Sequence, residues 1–138
     1  MKISNKTRIA EFILFAILIA VILVLAYLGM IPRVVGYIPF YEQLGHFFLF
    51  GMLAWLLHRA LKRRHFRFLG MAIPLGIFII AIFTTAEEFL QQLSPNRTFS
   101  LSDLSFSLAG ILAFYGIDRL CFRSLPKIDK QANKIQKN

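Results

Sequence analysis

A long uncharged apolar run near the amino terminus constrains the fold more than any other feature of the sequence. Residues 9–31 carry no charged side chain except Glu11, near the start of the run. About 20 apolar residues in a helix, rising about 1.5 Å each, cross a bilayer core of roughly 30 Å. A cleaved signal peptide would have an apolar core of about 7–15 residues and then a small-residue cleavage site. We therefore predict an uncleaved membrane-spanning helix.

Three later runs are also apolar enough to predict spans. They cover about residues 44–61, 68–91 and 101–121. Pro and Gly near the start of the third run are tolerable in a membrane, where neighbouring helices satisfy the freed backbone groups. The sequence thus predicts an all-α, polytopic membrane protein. Residues 1–124 form a bundle of four transmembrane helices, and residues 125–138 form a polar, basic, disordered tail.

The composition agrees with a membrane protein. The 138 residues are 57% hydrophobic and include 15 Phe, whereas the 17% that are charged lie mostly at the termini and in one short connection. In a soluble protein, the net charge of +9 would suggest nucleic acid. Here the basic residues flank apolar runs, where Lys and Arg set topology and contact anionic lipid head groups. We predict membrane lipids as partners and no nucleic acid.

The distribution of basic residues predicts the orientation of the spans. Of the 16 Lys and Arg residues, all but Arg33 and Arg97 lie near the amino terminus, within residues 59–67, or from residue 119 onward. Positively charged connections stay in the cytoplasm. We therefore expect both termini and the second connection to be cytoplasmic, and the first and third connections to face outward.

Polar residues gather at the predicted outer ends of spans two, three and four. Ionisable side chains inside a membrane are costly, so they indicate a functional site. We predict an outward-facing polar pocket among these three spans. The predicted ligand-binding residues are Glu42, His46, Glu88, Gln91, Arg97 and Asp103.

Structural roles compete with a site role for the carboxylates. Glu87 and Glu88 are adjacent and point about 100° apart around a helix, so we expect one to face the bundle and the other the head groups. The alternative is that both are interfacial and reached by water. Ser100 and Asp103 have the spacing of a capping box, in which the serine caps a helix and the acid returns to the serine backbone.

No motif in the chain identifies a reaction. His46 has a side chain suited to proton transfer, and Arg97 has the planar fork that binds phosphate or carboxylate, although either can instead be a packing or neutralising residue. The candidate catalytic residues are His46, Glu88 and Asp103. Metal-ligand spacing and a Gly-rich phosphate loop are missing, and Cys121 is the single cysteine. We predict no metal and no cofactor.

Two segments resemble the VanZ-like family of small bacterial membrane proteins. They are EQLGHFFLFGMLAWLL at residues 42–57 and EFLQQLSPNRTFSLSDLSFSLAG at residues 88–110. The family pattern has an acid four residues before a His, then Glu-x-x-Gln, a Pro-x-Arg turn, and an Asp followed at four residues by Asn and at seven by Gly. The matching residues are Glu42, His46, Glu88, Gln91, Pro95, Arg97, Asp103 and Gly110. The departures are Glu42 for Asp, Gln43 for Lys, Phe50 for Tyr and Ser107 for Asn.

Three functions stay open at this point. The resemblance implies a protein of the bacterial cytoplasmic membrane, linked to low-level resistance to the glycopeptide teicoplanin, and implies no reaction. The first hypothesis is a binding protein for an anionic envelope component, either a lipid head group or a lipid-linked cell-wall precursor, with Arg97 as the anion contact. The second is an intramembrane enzyme with His46 as base, oriented by Glu88 or Asp103. The third is a structural or accessory four-helix module.

Overall fold

Helices make up most of the structure. The computed structural model describes residues 4–31 and 37–123. The helices are α1 (Asn5–Tyr27), α2 (Tyr41–Ala60), α3 (Leu75–Leu90) and α4 (Leu101–Arg123), with a 3-10 turn at Gln91–Leu93 after α3. A two-stranded antiparallel hairpin, β1 (His65–Phe68) and β2 (Met71–Pro74), separates α2 from α3. The chain is mostly helical, as the all-α prediction implies, and the hairpin is a departure from that prediction.

Three helical segments of the described residues are long and apolar enough to cross a membrane. They are Asn5–Tyr27, Leu75–Leu93 and Leu101–Cys121. Helix α2 is not among them, because ionisable side chains lie near both of its ends, including Glu42, His58 and Arg59. The sequence therefore predicted a membrane protein correctly, and the fourth span stays a prediction.

The predicted third span begins too early. We expected it from about residue 68, but residues 65–74 form the hairpin and α3 begins at Leu75. Leu69 and Gly70, which connect the strands, both have positive φ, 49° and 80°. Positive φ at both central residues is the geometry of the two-residue turns that close hairpins. Pro74 then ends β2, since it has no N–H to continue a strand ladder.

The first span also lies earlier than predicted. Ser4 caps α1 by accepting a hydrogen bond from the Lys6 N–H, so the helix begins at Asn5 rather than at residue 9. It ends at Tyr27, just before Gly29, whose φ of +66° cannot continue a right-handed helix. The predicted disordered tail at residues 125–138 lies outside the described residues.

Glycines allow α2 and α4 to pack closely. A Cβ on Gly51 would lie 2.8 Å from the carbonyl oxygen of Gly110, and a Cβ on Gly110 would overlap the carbonyl oxygen of Phe47. Gly45, also on α2, has nothing within 4 Å of its Cβ position. Small residues at such crossings are typical of membrane helices. The buried apolar residues around this contact are Ile19, Phe50, Leu53, Ala54, Ile77, Ile80 and Ile111.

Several polar side chains are buried, whereas many large apolar side chains are exposed. Glu88, Thr84 and Ser107 have 0% exposed surface. In contrast, Leu14 on α1 is 69% exposed and Leu112 on α4 is 65% exposed. A water-soluble chain avoids so much exposed aliphatic surface, whereas lipid solvates it without cost. The distribution is that of a membrane protein.

Candidate functional site

Two adjacent carboxylates at the end of α3 are held by one amide. Gln91 Nε2 donates to both oxygens of Glu87, at 3.2 and 3.0 Å, and to Glu88 Oε2 at 3.1 Å. A carboxylate pair would repel itself, and the shared amide hydrogens lower that cost. Gln91 is 1% exposed, so this contact lies in the interior.

Our expectation that Glu87 and Glu88 point to different environments is wrong. Glu87 is 5% exposed and Glu88 is 0% exposed. Successive helix residues point about 100° apart, but neither side chain is exposed, because α1 covers the face of α3 that carries Glu87. There the Tyr27 hydroxyl donates to Glu87 Oε1 at 3.3 Å. Both carboxylates therefore belong to the buried cluster.

The predicted capping box at the start of α4 is half formed. The Asp103 N–H donates to Ser100 Oγ at 3.2 Å, so the serine caps the helix. The returning bond comes from elsewhere, because the Ser100 N–H donates to Glu88 Oε1 at 2.8 Å. Asp103 is 4% exposed, and its Oδ1 has no hydrogen-bond partner within the described residues. That carboxylate is free to accept a further hydrogen bond.

His46 contacts a serine rather than an acid. Its Nδ1 lies 3.0 Å from Ser107 Oγ, across the α2–α4 interface. The enzyme hypothesis expected Glu88 or Asp103 to orient the ring, and among the described residues neither is hydrogen-bonded to it. Ser107 occupies the position where the resemblance led us to expect Asn. Its buried hydroxyl supplies a polar contact to the ring.

Arg97 joins the connection after α3 to the start of α2. Its Nε donates to Gln91 Oε1 at 3.2 Å, and its Nη1 lies 3.5 Å from Glu42 Oε1. The Tyr41 hydroxyl donates to the same Glu42 oxygen at 2.9 Å. This bond raises the pKa of the Tyr41 phenol, which lies before the predicted span, and partial burial raises it further. Arg97 is thus a neutralising residue that pairs with Glu42.

An apolar cavity of about 360 Å³ adjoins this network. Its wall is formed by α1 and α2, with Arg97 reaching in from the α3–α4 connection, so it does not lie among spans two to four as predicted. Aliphatic residues of α1, such as Ile22 and Leu23, line one part of it, while Glu42, His46 and Arg97 line another. A volume of this size is within the roughly 300–1,000 Å³ of ligand pockets.

The structure brings all six predicted site residues into one region. An ion pair joins Glu42 to Arg97, hydrogen bonds connect Arg97, Gln91 and Glu88, and Ser100 extends the chain to Asp103. His46 shares the cavity with Glu42 and Arg97. Hydrogen-bond acceptors are in excess among these six residues, since three of them are carboxylic acids and one, Arg97, carries a guanidinium.

Sequence reasoning missed the residues that tie α1 to the site. Asn96 Nδ2 donates to the Tyr27 carbonyl at 2.9 Å, and Ser94 Oγ donates to the same oxygen at 3.4 Å. That carbonyl is at the end of α1, where helix carbonyls lack intrahelical partners. Ser94, Asn96 and Arg97 sit in one short turn, so proximity to Arg97 was the available signal.

Comparison of the chain with family models, curated proteins and solved structures gave no match. The geometry therefore defines the site by itself. Within residues 4–31 and 37–123, no group of three or more His, Cys, Asp or Glu is arranged to hold a metal ion. What the site offers is an apolar cavity with a polar, hydrogen-bonding end.

Proposed function

We propose that this protein is a four-helix membrane protein that binds a lipid whose head group contains a phosphate and hydroxyl or amide groups. The observation that carries the proposal is the cavity between α1 and α2, which is aliphatic except where it meets Glu42, His46 and Arg97. A lipid has the same division into a long apolar part and a polar end. Its acyl or polyprenyl chain would lie along α1, and its head group would lie against the network.

The polar end is suited to more than one part of a head group. The guanidinium of Arg97 binds phosphate through parallel N–H donors. The Glu42 carboxylate at the cavity wall cannot bind an anion, but it accepts hydrogen bonds from hydroxyl and amide groups. A lipid-linked sugar phosphate of the cell-wall precursor class carries all of these groups, whereas a simple anionic phospholipid carries fewer.

The resemblance to the VanZ-like family supports the setting of this proposal. It points to a protein of the bacterial cytoplasmic membrane linked to glycopeptide resistance, and the positive-inside rule places both termini inside. The network would then face outward, on the side where such precursors are assembled into the wall. The intramembrane enzyme is the weaker alternative. It needs an acid to orient His46, whereas the ring contacts Ser107, a serine with 0% exposed surface.

Native mass spectrometry with co-purifying lipids tests the proposal. Wild-type protein should retain a phosphate-bearing lipid with an elongated apolar chain through detergent exchange. Arg97→Gln should lose about 10-fold or more in lipid occupancy, since hydrogen bonds to charged groups contribute about 1.5–3 kcal/mol. Arg67→Gln is the matched control, because Arg67 is exposed on β1 and does not line the cavity.

Thermal unfolding separates binding from a structural role for the cluster. Under the proposal, Arg97→Gln loses lipid while its unfolding temperature in lipid-free detergent stays close to wild type. A purely structural network predicts the reverse, with lowered unfolding temperatures for Arg97→Gln, His46→Ala and Asp103→Ala and no selective lipid in any of the proteins. That second pattern would overturn the proposed function.

A further inference from the structure

A second polar cluster lies at the far end of the helices from the first. On α2, His58 follows His46 by 12 residues, which is about 18 Å along a helix. On α4, Asp118 follows Asp103 by 15 residues, or about 22 Å. A cavity of about 430 Å³ lies here, and its lining includes His58, Arg63, His65, Tyr115, Asp118 and Arg119. It shares no lining residue with the first cavity.

Asp118 is fully committed to protein partners. Its Oδ2 accepts from Arg63 Nε at 2.8 Å, and its Oδ1 accepts from Arg63 Nη2 at 2.7 Å and from Trp55 Nε1 at 3.0 Å. The pair is bidentate, and Asp118 is 6% exposed. The carboxylate charge is therefore neutralised inside the fold, and it leaves little repulsion toward an anion in the cavity.

The backbone fixes Arg63 in this position. Lys62 and Arg63 both adopt positive φ, 54° and 56°, a region that non-glycine residues rarely occupy in succession. The Arg63 N–H closes the end of α2 by donating to the His58 carbonyl at 2.8 Å. Strained turns of this kind persist where surrounding contacts hold them, commonly at binding sites. The bidentate contact with Asp118 is a contact that stabilises this turn.

His58 presents an unused polar atom. The residue is 2% exposed, and its Nδ1 has no hydrogen-bond partner within the described residues. The ring packs edge-on against Tyr115 and His65, with centroids 5.5 and 5.6 Å away. A buried nitrogen without a hydrogen-bond partner destabilises the fold. Because His58 lines the cavity, a ligand that reaches Nδ1 would recover that energy.

The charges favour an anion over a cation. The charges of Arg63 and Asp118 cancel, which leaves the Arg119 guanidinium as the net positive charge at the cavity wall. Arg119 is exposed, with its guanidinium 5.9 Å from the Tyr115 ring. Lys62 and Arg64 on the connection between α2 and β1 raise the positive potential further.

We propose that this cavity is a second binding site, which takes a phosphate group. Arg119 contacts the phosphate oxygens, and His58, in the neutral tautomer that carries its proton on Nδ1, donates from that nitrogen to the same group. His65 and the Tyr115 hydroxyl, whose polar atoms are 3.4 Å apart, supply further donors at the rim. The phosphate belongs either to a lipid head group or to a soluble phosphate compound. The inference does not depend on the proposed function of the first site.

Isothermal titration calorimetry of the full chain in a neutral maltoside detergent tests this site. The probes are inorganic phosphate and, separately, dihexanoyl phosphatidylglycerol. Wild type should bind at least one of them, and stronger binding of the first or the second identifies a soluble or a lipid source. Arg119→Gln should weaken that binding about 10-fold, as expected for loss of a charged hydrogen bond. Arg67→Gln, the same charge change on the neighbouring strand, should leave it unchanged.

A pair of variants at His58 tests the buried nitrogen. His58→Leu removes the polar atom and fills the volume, so binding should fall about as far as in Arg119→Gln. His58→Asn keeps a nitrogen at about the position of Nδ1 and should restore part of the loss. Failure of wild type to bind either probe overturns the proposal. Equal weakening in Arg67→Gln and Arg119→Gln also overturns it, since that result means diffuse attraction rather than a site.

Discussion

The buried end of α3 depends on the side chain of Gln91, which acts as donor and acceptor together. Its Nε2 donates to Glu87 and Glu88, and its Oε1 accepts from Arg97 Nε. A carboxylate cannot donate, and an aliphatic residue can do neither. The amide is therefore what allows two adjacent acids and one guanidinium to share a desolvated space.

Gln91→Glu should destabilise the protein strongly. The change keeps the shape but places a third carboxyl group beside Glu87 and Glu88 without a donor, and an unpaired buried charge costs about 3–5 kcal/mol. Thermal or denaturant unfolding in detergent measures the loss. Gln92→Glu is the control, because Gln92 is exposed on the same turn, and it should stay within about 0.5 kcal/mol of wild type. Similar stability for the two variants would contradict the amide's role.

Gly110→Ala should weaken the contact between α2 and α4. The added Cβ would overlap the carbonyl oxygen of Phe47, which is backbone and cannot rotate away. Overpacking costs about 1–3 kcal/mol. Gly116→Ala lies on the same helix with nothing within 4 Å, so it should stabilise by about 0.5–1 kcal/mol. Opposite shifts of the unfolding temperature are expected, and a neutral Gly110→Ala would show that the helices separate easily.

At the scale of elements, the hairpin between α2 and α3 has the character of a membrane-interface segment. Phe68, Leu69 and Met71 at its tip are 57%, 83% and 62% exposed. Arg64 and Arg67 are exposed just beside them. Apolar side chains next to basic ones are suited to the head-group region, where the former enter the acyl boundary and the latter contact lipid phosphates.

Spin-label accessibility measures the depth of this tip. In a Cys121→Ser background in nanodiscs, a label at Leu69→Cys should show oxygen accessibility between those of Leu112→Cys and Lys6→Cys. Leu112 faces outward midway along α4, and Lys6 is exposed at the start of α1. Water exposure of Leu69→Cys equal to that of Lys6→Cys would place the hairpin off the membrane.

At the scale of the whole molecule, the orientation in the membrane can be read from the single cysteine. Cys121 is exposed near the end of α4, which the positive-inside rule assigns to the cytoplasm. A membrane-impermeant maleimide should label it in intact cells only after permeabilisation. Leu93→Cys in a Cys121→Ser background should label without permeabilisation, since Leu93 is 81% exposed at the opposite end. The reverse pattern would invert the topology and place the first site inside.

The sequence by itself determined the class of protein and the location of its polar chemistry. Long uncharged runs predict helices that lipid can solvate, and this depends on local composition, which a sequence displays directly. For the same reason the sequence identified the polar residues of the buried cluster, because polar groups within apolar runs are visible however the helices pack. Glu42, Arg97, Gln91 and Glu88 do meet.

The tertiary structure decided which groups pair and which are buried. Composition could not foresee that α1 covers Glu87, that Ser107 rather than an acid meets His46, or that Asp118 and Arg63 join α4 to the turn after α2. These pairs are 60, 61 and 55 residues apart in sequence. Such contacts depend on the rotation and crossing angle of whole helices. A close approach such as that of Gly51 to Gly110 fixes this geometry, and no local sequence pattern encodes it.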